Sequence, residues 1–374
     1  MRVRSLAMIA IGTVLFMGSA GRATAQSVED YDRVWNRFAN WYENDENPGI
    51  QSVRFSGRFQ FEYANVDGRG GNHSEWNVRR LRLGVKTEFL NRFTFHAEAD
   101  FNPQEADPFY SRLTDFYLEW APGDSMALTF GKHGVPFTMD GSTSSKELLT
   151  IDRSNLANNM WFTEEYMPGI SLEGGVSNWV YHVGAFSAGA KNREFGRFSG
   201  SVFTLASIGY DFREHIGVNR ALLRGNYVYQ TPDDDNTFTR NLHHTASVNF
   251  DLDMGRWGVR EDFTAGSGYG GQSDLWGVMT MPYFNMTEKL QFVGRHTYLN
   301  SEDANGVRLA RYERYAESGL GDLYNELYLG ANYYFYGHKL KFQTGLTIGD
   351  MNDAANDGGE YTGVGATAGL RVSW

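Results

Sequence analysis

The chain contains no cysteine in 374 residues, so it forms no disulfide staples and offers no thiolate to a metal. Beyond the first 25 residues no apolar run approaches the 18 or so residues of a spanning helix, which excludes a helical membrane protein. Basic residues are in deficit, 34 against 45 acids for a formal charge of -11, and this balance argues against a nucleic-acid partner. Catalytic constellations are missing too. His96, His133, His243, His244 and His296 are scattered over separate segments with no recognisable Ser or Cys nucleophile motif beside them, so no enzyme is expected. The acids of Asp233 to Asp235 and of Asp350 to Glu360 do not follow the spacing of a calcium loop. Gly266 to Gly271 lacks the Lys-Ser/Thr of a phosphate loop. No metal or cofactor is expected. Hydrophobic residues make up only 41% of the chain. A soluble globule of this length would divide into two or more domains, yet no linker is visible.

What the chain does have is aromatic and glycine-rich alternation, with 43 Gly, 26 Phe, 21 Tyr and 9 Trp. Arg2 and Arg4 precede an apolar run from Leu6 to about Gly18, and Ala23-Thr24-Ala25 closes it, the layout of a cleavable export signal over residues 1–25. Losing Arg2, Arg4 and Arg22 with that signal moves the formal charge from -11 to -14. At the other end, Thr362, Val364, Ala366, Ala368, Leu370, Val372 and Trp374 share one face of a strand. Gly363, Gly365, Thr367, Gly369, Arg371 and Ser373 share the other. Strict period two with one apolar face is the signature of a strand that separates lipid from a lumen.

The pattern repeats. Val53, Phe55, Gly57, Phe59, Phe61 and Tyr63 alternate with Arg54, Ser56, Arg58, Gln60 and Glu62, and comparable segments bring the count to sixteen strands. Tight turns at Leu90–Arg92, Pro122–Asp124, Ser177–Asn178, Gly255–Arg256, Thr287–Glu288 and Tyr336–His338 alternate with longer polar loops. The expected fold is therefore all-β, a sixteen-stranded antiparallel transmembrane barrel over residues 50–374, with turns on the periplasmic side. Closure removes the sheet edges that lipid would not tolerate. Trp76, Trp120, Trp179, Trp257, Trp276, Tyr333 to Tyr336 and Trp374 sit near strand ends, as an aromatic girdle at the lipid boundary requires. Between the signal and the barrel, residues 26–49 hold Val28, Tyr31, Val34, Trp35, Phe38, Trp41 and Tyr42 at helical spacing. This short periplasmic helix has three placements open to it: an oligomer contact, the membrane surface or the lumen. Glu261 falls on the lipid face between Val259 and Phe263, which calls for an oligomer contact or a bulge that turns it inward.

If the polar faces point inward, the lumen carries eleven bases and twelve acids. Eight of the bases, Arg54, Arg58, Arg80, Arg82, Lys86, Lys339, Lys341 and Arg371, lie on the first two and last two strands, which closure makes neighbours. A basic wall across the seam follows, facing acids from other strands. The longest loop, about 134–168, exceeds a simple hairpin and carries Asp140, Glu147, Asp152, Glu164 and Glu165 against Lys146 and Arg153. Folded inward, it would narrow the lumen and set acids opposite the basic wall, and such charged constrictions give pores their ion selectivity.

Arg79-Arg80-Leu81-Arg82-Leu83-Gly84-Val85-Lys86, Phe130-Gly131-Lys132 leading to Pro136-Phe137, Arg311-Tyr312-Glu313-Arg314, and Asn332-Tyr333-Tyr334 with Gly337-His338 and Lys341 resemble the phosphate-selective porin O/P family over most of the mature chain. The resemblance implies a homotrimeric outer-membrane porin with an arginine ladder and lysines that guide phosphate-like anions. Arg54, Arg58, Arg80, Arg82 and Arg371 would supply the ladder here. The acidic long loop and the balanced lumen depart from that pattern, so porin architecture and phosphate selectivity are separate expectations. The expected function is a water-filled channel for small hydrophilic solutes or ions, with outer-membrane lipid around it. The competing class is a non-conducting barrel used for binding or as a scaffold, and sixteen strands favour the channel because they leave an aqueous lumen.

Overall fold

Two unlike faces on every strand demand two unlike surroundings, and the sheet provides them by closing on itself. The computed structural model describes residues 28–374 apart from residues 106, 124, 161–165, 189–194, 196–200, 234–235 and 237–238. The expected export signal, Glu164 and Glu165 lie outside the described residues. A helix, α1 (Val28–Ala39), and a short strand, β1 (Asn40–Glu43), precede the barrel. Its sixteen strands are β2 (Ile50–Gly68), β3 (Asn72–Phe89), β4 (Phe93–Phe101), β5 (Tyr110–Gly123), β6 (Met126–Gly134), β7 (Tyr166–Val176), β8 (Trp179–Ser187) and β9 (Val202–Asp211), followed by β10 (Arg220–Gln230), β11 (Leu242–Asp253), β12 (Trp257–Gly268), β13 (Leu275–Asn285), β14 (Leu290–Ser301), β17 (Leu323–Tyr336), β18 (Leu340–Asn352) and β19 (Tyr361–Ser373). A two-residue pair, β15 (Val307–Arg308) with β16 (Leu320–Gly321), decorates the loop before β17. Every barrel strand pairs antiparallel with its sequence neighbour, and β19 returns to β2 in the register Arg371↔Gln60 and Leu370↔Phe61.

The turns are tight because the backbone twists to suit the strands. Leu90 and Asn91 in the three-residue turn between Phe89 and Phe93 both take positive φ, 51° and 60°, the left-handed conformation that lets a tight hairpin match strand twist. Outside, Trp76, Trp120, Trp179, Trp257 and Trp276 are exposed on the wall among Phe, Leu and Ile side chains. The register Phe250↔Glu261↔Thr280 is unbroken. No bulge therefore turns Glu261 inward; its carboxylate stays on the outer face and accepts a 2.7 Å hydrogen bond from Thr280 Oγ1.

The helix ends earlier than its aromatic spacing suggested, at Ala39, because Asn40 to Glu43 pair with the start of β2. It stays out of the lumen and lies against Phe55, Tyr336 and Trp374 on the outer wall.

Inside, the lumen is not uniformly polar. Met279, Met281, Tyr283, Val293, Leu299, Tyr324, Tyr328, Met351 and Tyr361 point inward from β13 to β19 and are buried. They pack against Met139, Leu149, Leu156 and Met160 of the long loop and Val307, Leu309, Tyr312 and Ala316 of the loop before β17. This half of the barrel is a hydrophobic core built around inserted chain. Substituting Leu156, which is fully buried, with alanine is expected to cost about 2–5 kcal/mol, as for a buried leucine elsewhere. Urea unfolding in detergent reads the change, and a loss under about 0.5 kcal/mol would show that the inserted chain packs no core.

Candidate functional site

The loop that leaves β6 at Gly134 turns straight into the barrel, carrying two short helices, α2 (Met139–Ser142) and α3 (Asn155–Met160). Its sequence has little regular structure, so most of its carbonyls need partners from elsewhere. The wall supplies them. Lys341 Nζ donates to Leu148 O at 2.7 Å, Asn332 Nδ2 to Leu149 O at 2.8 Å, Arg371 Nη2 to Ile151 O at 3.1 Å and Arg295 Nη1 to Asp152 O at 2.8 Å. Gln60 Nε2 donates to Ser145 O at 2.9 Å, and Arg58 Nη1 to Ser145 Oγ at 2.6 Å. In return Lys146 Nζ reaches Trp374 O at 2.9 Å. The stretch from Ser145 to Asp152 lies against the wall from β14 through β19 to β2 and so rests on the seam rather than facing it.

The basic wall expected from sequence thus has a different job along most of its height. Lys341 and Arg371 are 0% and 3% exposed, covered by the loop that they hold. Arg371 is also paired with Glu62, which accepts a second hydrogen bond from Tyr312 OH of the β16-side loop. Arg58 and Arg82 sit on Glu98 at 3.0 and 3.9 Å, and Arg80 donates to Gln60 Oε1 at 2.9 Å. Arg54 pairs with Glu43 and Glu88 at the turn-side rim, Lys86 lies opposite it in the ladder, and Lys339 stands over the Tyr336 ring in a turn.

The loop acids do not face the basic wall from across a gap, which corrects that part of the sequence expectation. Asp140 Oδ2 accepts the Ser154 N–H at 2.7 Å within the loop itself. Asp152 lies 3.5 Å from Arg79 Nε. Burial works against the Asp152 charge, yet Arg79, Arg311, Arg371 and Arg80 around it hold the carboxyl below the usual range. Glu147 is exposed and borders a turn-side cavity of about 870 Å³ that also touches Arg220, Arg260 and Asp251.

Away from the packed core, two further cavities lie along β3 to β8. A loop-side cavity of about 630 Å³ is lined by Arg79, Arg80, Arg112, Arg153, Arg311 and Arg314 against Glu75, Asp100, Glu105 and Asp152. A turn-side cavity of about 450 Å³ lies below, lined by Arg58, Lys146 and Arg153 with Asp115, Glu119, Glu173 and three histidines. Arg153 borders both. Its guanidinium is fixed by the loop's own carbonyls, Nε to Asp140 O and Nη2 to Thr143 O, both at 2.8 Å. Among the described residues no cluster of His, Asp and Glu is arranged to hold a metal ion.

A model of the phosphate-selective porin O and P family matches residues 53–374. The chain belongs to that family. No curated protein matches the sequence. Among solved structures, this porin is similar to an anion-selective porin from Comamonas acidovorans, with a TM-score of 0.62 at 12% identity over 86% of this chain and 99% of that one. It is similar to OmpF of Salmonella typhi, with a TM-score of 0.62 at 11% identity over 90% and 100% of the two chains. The outer membrane channel DcaP of Acinetobacter baumannii gives a TM-score of 0.56 at 13% identity over 89% and 99%. At these identities the likeness is one of fold. Family and fold together make the protein an outer-membrane porin with a water-filled channel.

Sequence reasoning missed the second inserted loop, between β14 and β17, whose Arg311-Tyr312-Glu313-Arg314 stretch entered only as a family motif. Glu313 of that stretch is buried, accepting from Tyr324 OH at 2.9 and 3.1 Å, and burial with Glu326 nearby pushes its carboxyl up to about 8. Val307, Leu309, Tyr312 and Ala316 in an otherwise polar loop were the available signal. Deleting residues 140–160 is expected to raise single-channel conductance, because the chain that fills half the lumen is gone. Unchanged conductance would show that the loop does not narrow the pore.

Proposed function

We propose that this porin is a passive, non-enzymatic channel that prefers small anions, with phosphate-like oxyanions among them, and that its selectivity is set beside Arg153 rather than along the seam wall. The observation that carries this reading is the position of Arg153, a cation locked by two carbonyls between the loop-side and turn-side cavities. Six arginines against four acids line the loop-side cavity, a surplus that attracts anions to the mouth. The family description and the anion-selective relative support the same direction. Lys341 and Arg371 of the seam are covered by the loop and border neither cavity, so they position the constriction and do not meet the solute.

Export by cleavage after Ala25 and assembly as a homotrimer belong to the same reading. The trimer is supported by Glu261, an acid kept on the outer face in hydrogen-bonded contact with Thr280, whose cost there a covering protein surface would relieve.

Reversal potentials in a planar bilayer under a salt gradient test the selectivity. Anion preference is expected, reduced by Arg153→Gln and retained in Lys341→Met if that variant folds; cation preference in the unaltered protein would refute the proposal. The same measurement has a pH arm. Burial, with Arg58 adding to it, draws the Lys146 ammonium down to about 8, so Lys146 is charged at pH 7 and neutral at pH 9. Anion preference should fall across that interval, and Lys146→Gln should remove most of the fall.

A further inference from the structure

The amphipathic character of α1 exceeds what its contacts with the barrel use. At about 100° per residue, Val28, Tyr31, Val34, Trp35, Phe38 and Ala39 fall within an arc of about 140°, and Glu29, Asp30, Asp32, Arg33, Asn36 and Arg37 take the remainder. The centre of the apolar arc meets the outer wall. Tyr31 stacks on Tyr336 at 5.2 Å, Trp35 Nε1 donates to Ser373 O at 2.7 Å, and Phe38 meets Phe55 and Trp374 edge-on at 5.3 and 5.4 Å. Just beyond the helix, Trp41 stacks on Phe55 at 5.3 Å. Phe55 and Trp374 are on the lipid-facing sides of β2 and β19, so the helix lies at the foot of the closing seam, outside the barrel, where the turn-side girdle runs. Its flanks are left open: Val28 is 65% exposed, Val34 60%, and Trp41 59%.

We propose that α1 is an interfacial anchor, lying in the periplasmic leaflet of the outer membrane with phospholipid covering Val28, Val34 and the outer edges of Phe38 and Trp41. The inference rests on the outer-membrane porin reading. Continuity selects the occupant, since the exposed apolar flanks extend the same band that the strands turn toward lipid, with aromatic rings at its boundary. The polar face carries Glu29, Asp30 and Asp32 against Arg33 and Arg37. Without a basic surplus, attraction to anionic headgroups contributes nothing, and attachment rests on apolar burial. In this position α1 covers the last ladder carbonyl of β19 at Ser373 and seals the seam against the membrane interface.

The chain's lack of cysteine makes the test direct. Val34→Cys and Asn36→Cys, each carrying a single fluorophore, are reconstituted in phosphatidylcholine vesicles with and without bromine on the acyl chains. The label at residue 34 should be quenched by brominated lipid several-fold more than the label at residue 36, equally with or without added phosphatidylglycerol. Quenching of both labels by aqueous iodide and of neither by lipid would overturn the proposal, placing α1 in the periplasm. Disulfide cross-linking of unlabelled Val34→Cys between copies would overturn it too, because a second copy would then occupy that flank. Single-channel currents of the same variants keep the two readings apart: conduction through either one upholds the porin whatever the helix does.

Discussion

A stretch of irregular chain inside a barrel carries carbonyls that neither strand nor water satisfies, and the fold of this porin depends on who accepts that task. A buried carbonyl without a partner costs about 1–3 kcal/mol, so a run of them from Ser145 to Asp152 would expel the loop. Cationic and amide side chains of β2, β14, β17, β18 and β19 meet them one by one, from Gln60 to Arg371. The donors span β14 to β2, across the junction where β19 closes against β2, so the bed on which the loop rests is complete only when the barrel is. The final residue takes part directly, its carbonyl receiving Lys146. The strands that close the barrel also hold the constriction.

Much of this architecture was legible in the chain. Period-two alternation located the strands, and the turn positions fell where positive φ is found, as at Leu90 and Asn91. Inward and outward faces were readable because lipid and lumen impose opposite chemistry. The partners of the seam cations were not legible. Nothing in the spacing of Lys341 or Arg371 distinguishes a side chain that greets a solute from one that greets a carbonyl 193 or 220 residues away in sequence. The apolar lumen half was hidden for a related reason. Met279, Met281 and Tyr283 alternate with Val278, Thr280 and Pro282, and a strand that is apolar on one side and mixed on the other does not reveal which side meets lipid when inserted chain makes the lumen apolar too.

Filling one half displaces the path to the other. Two loops meet in the core, and Tyr312 of one bonds Glu62, which in turn holds Arg371 and through it Ile151 of the other. Two cavities are left along β3 to β8, lined by arginines and acids, some of them paired as Arg79 is with Asp152. Charges there border open space, whereas Lys341 and Arg371 on the seam are covered by the loop. A charge count over the whole lumen averages these two populations and so gives no preference.

Cysteine scanning of inward positions tests this asymmetry most directly, since the protein has no cysteine of its own. Single substitutions at Asp115 and Tyr117 on β5, and at Met279 on β13 and Tyr328 on β17, would be exposed to a charged thiol reagent during single-channel recording. The off-centre pore predicts rapid modification and stepwise block at residues 115 and 117, with none at residues 279 and 328. Equal reactivity around the whole wall would contradict it.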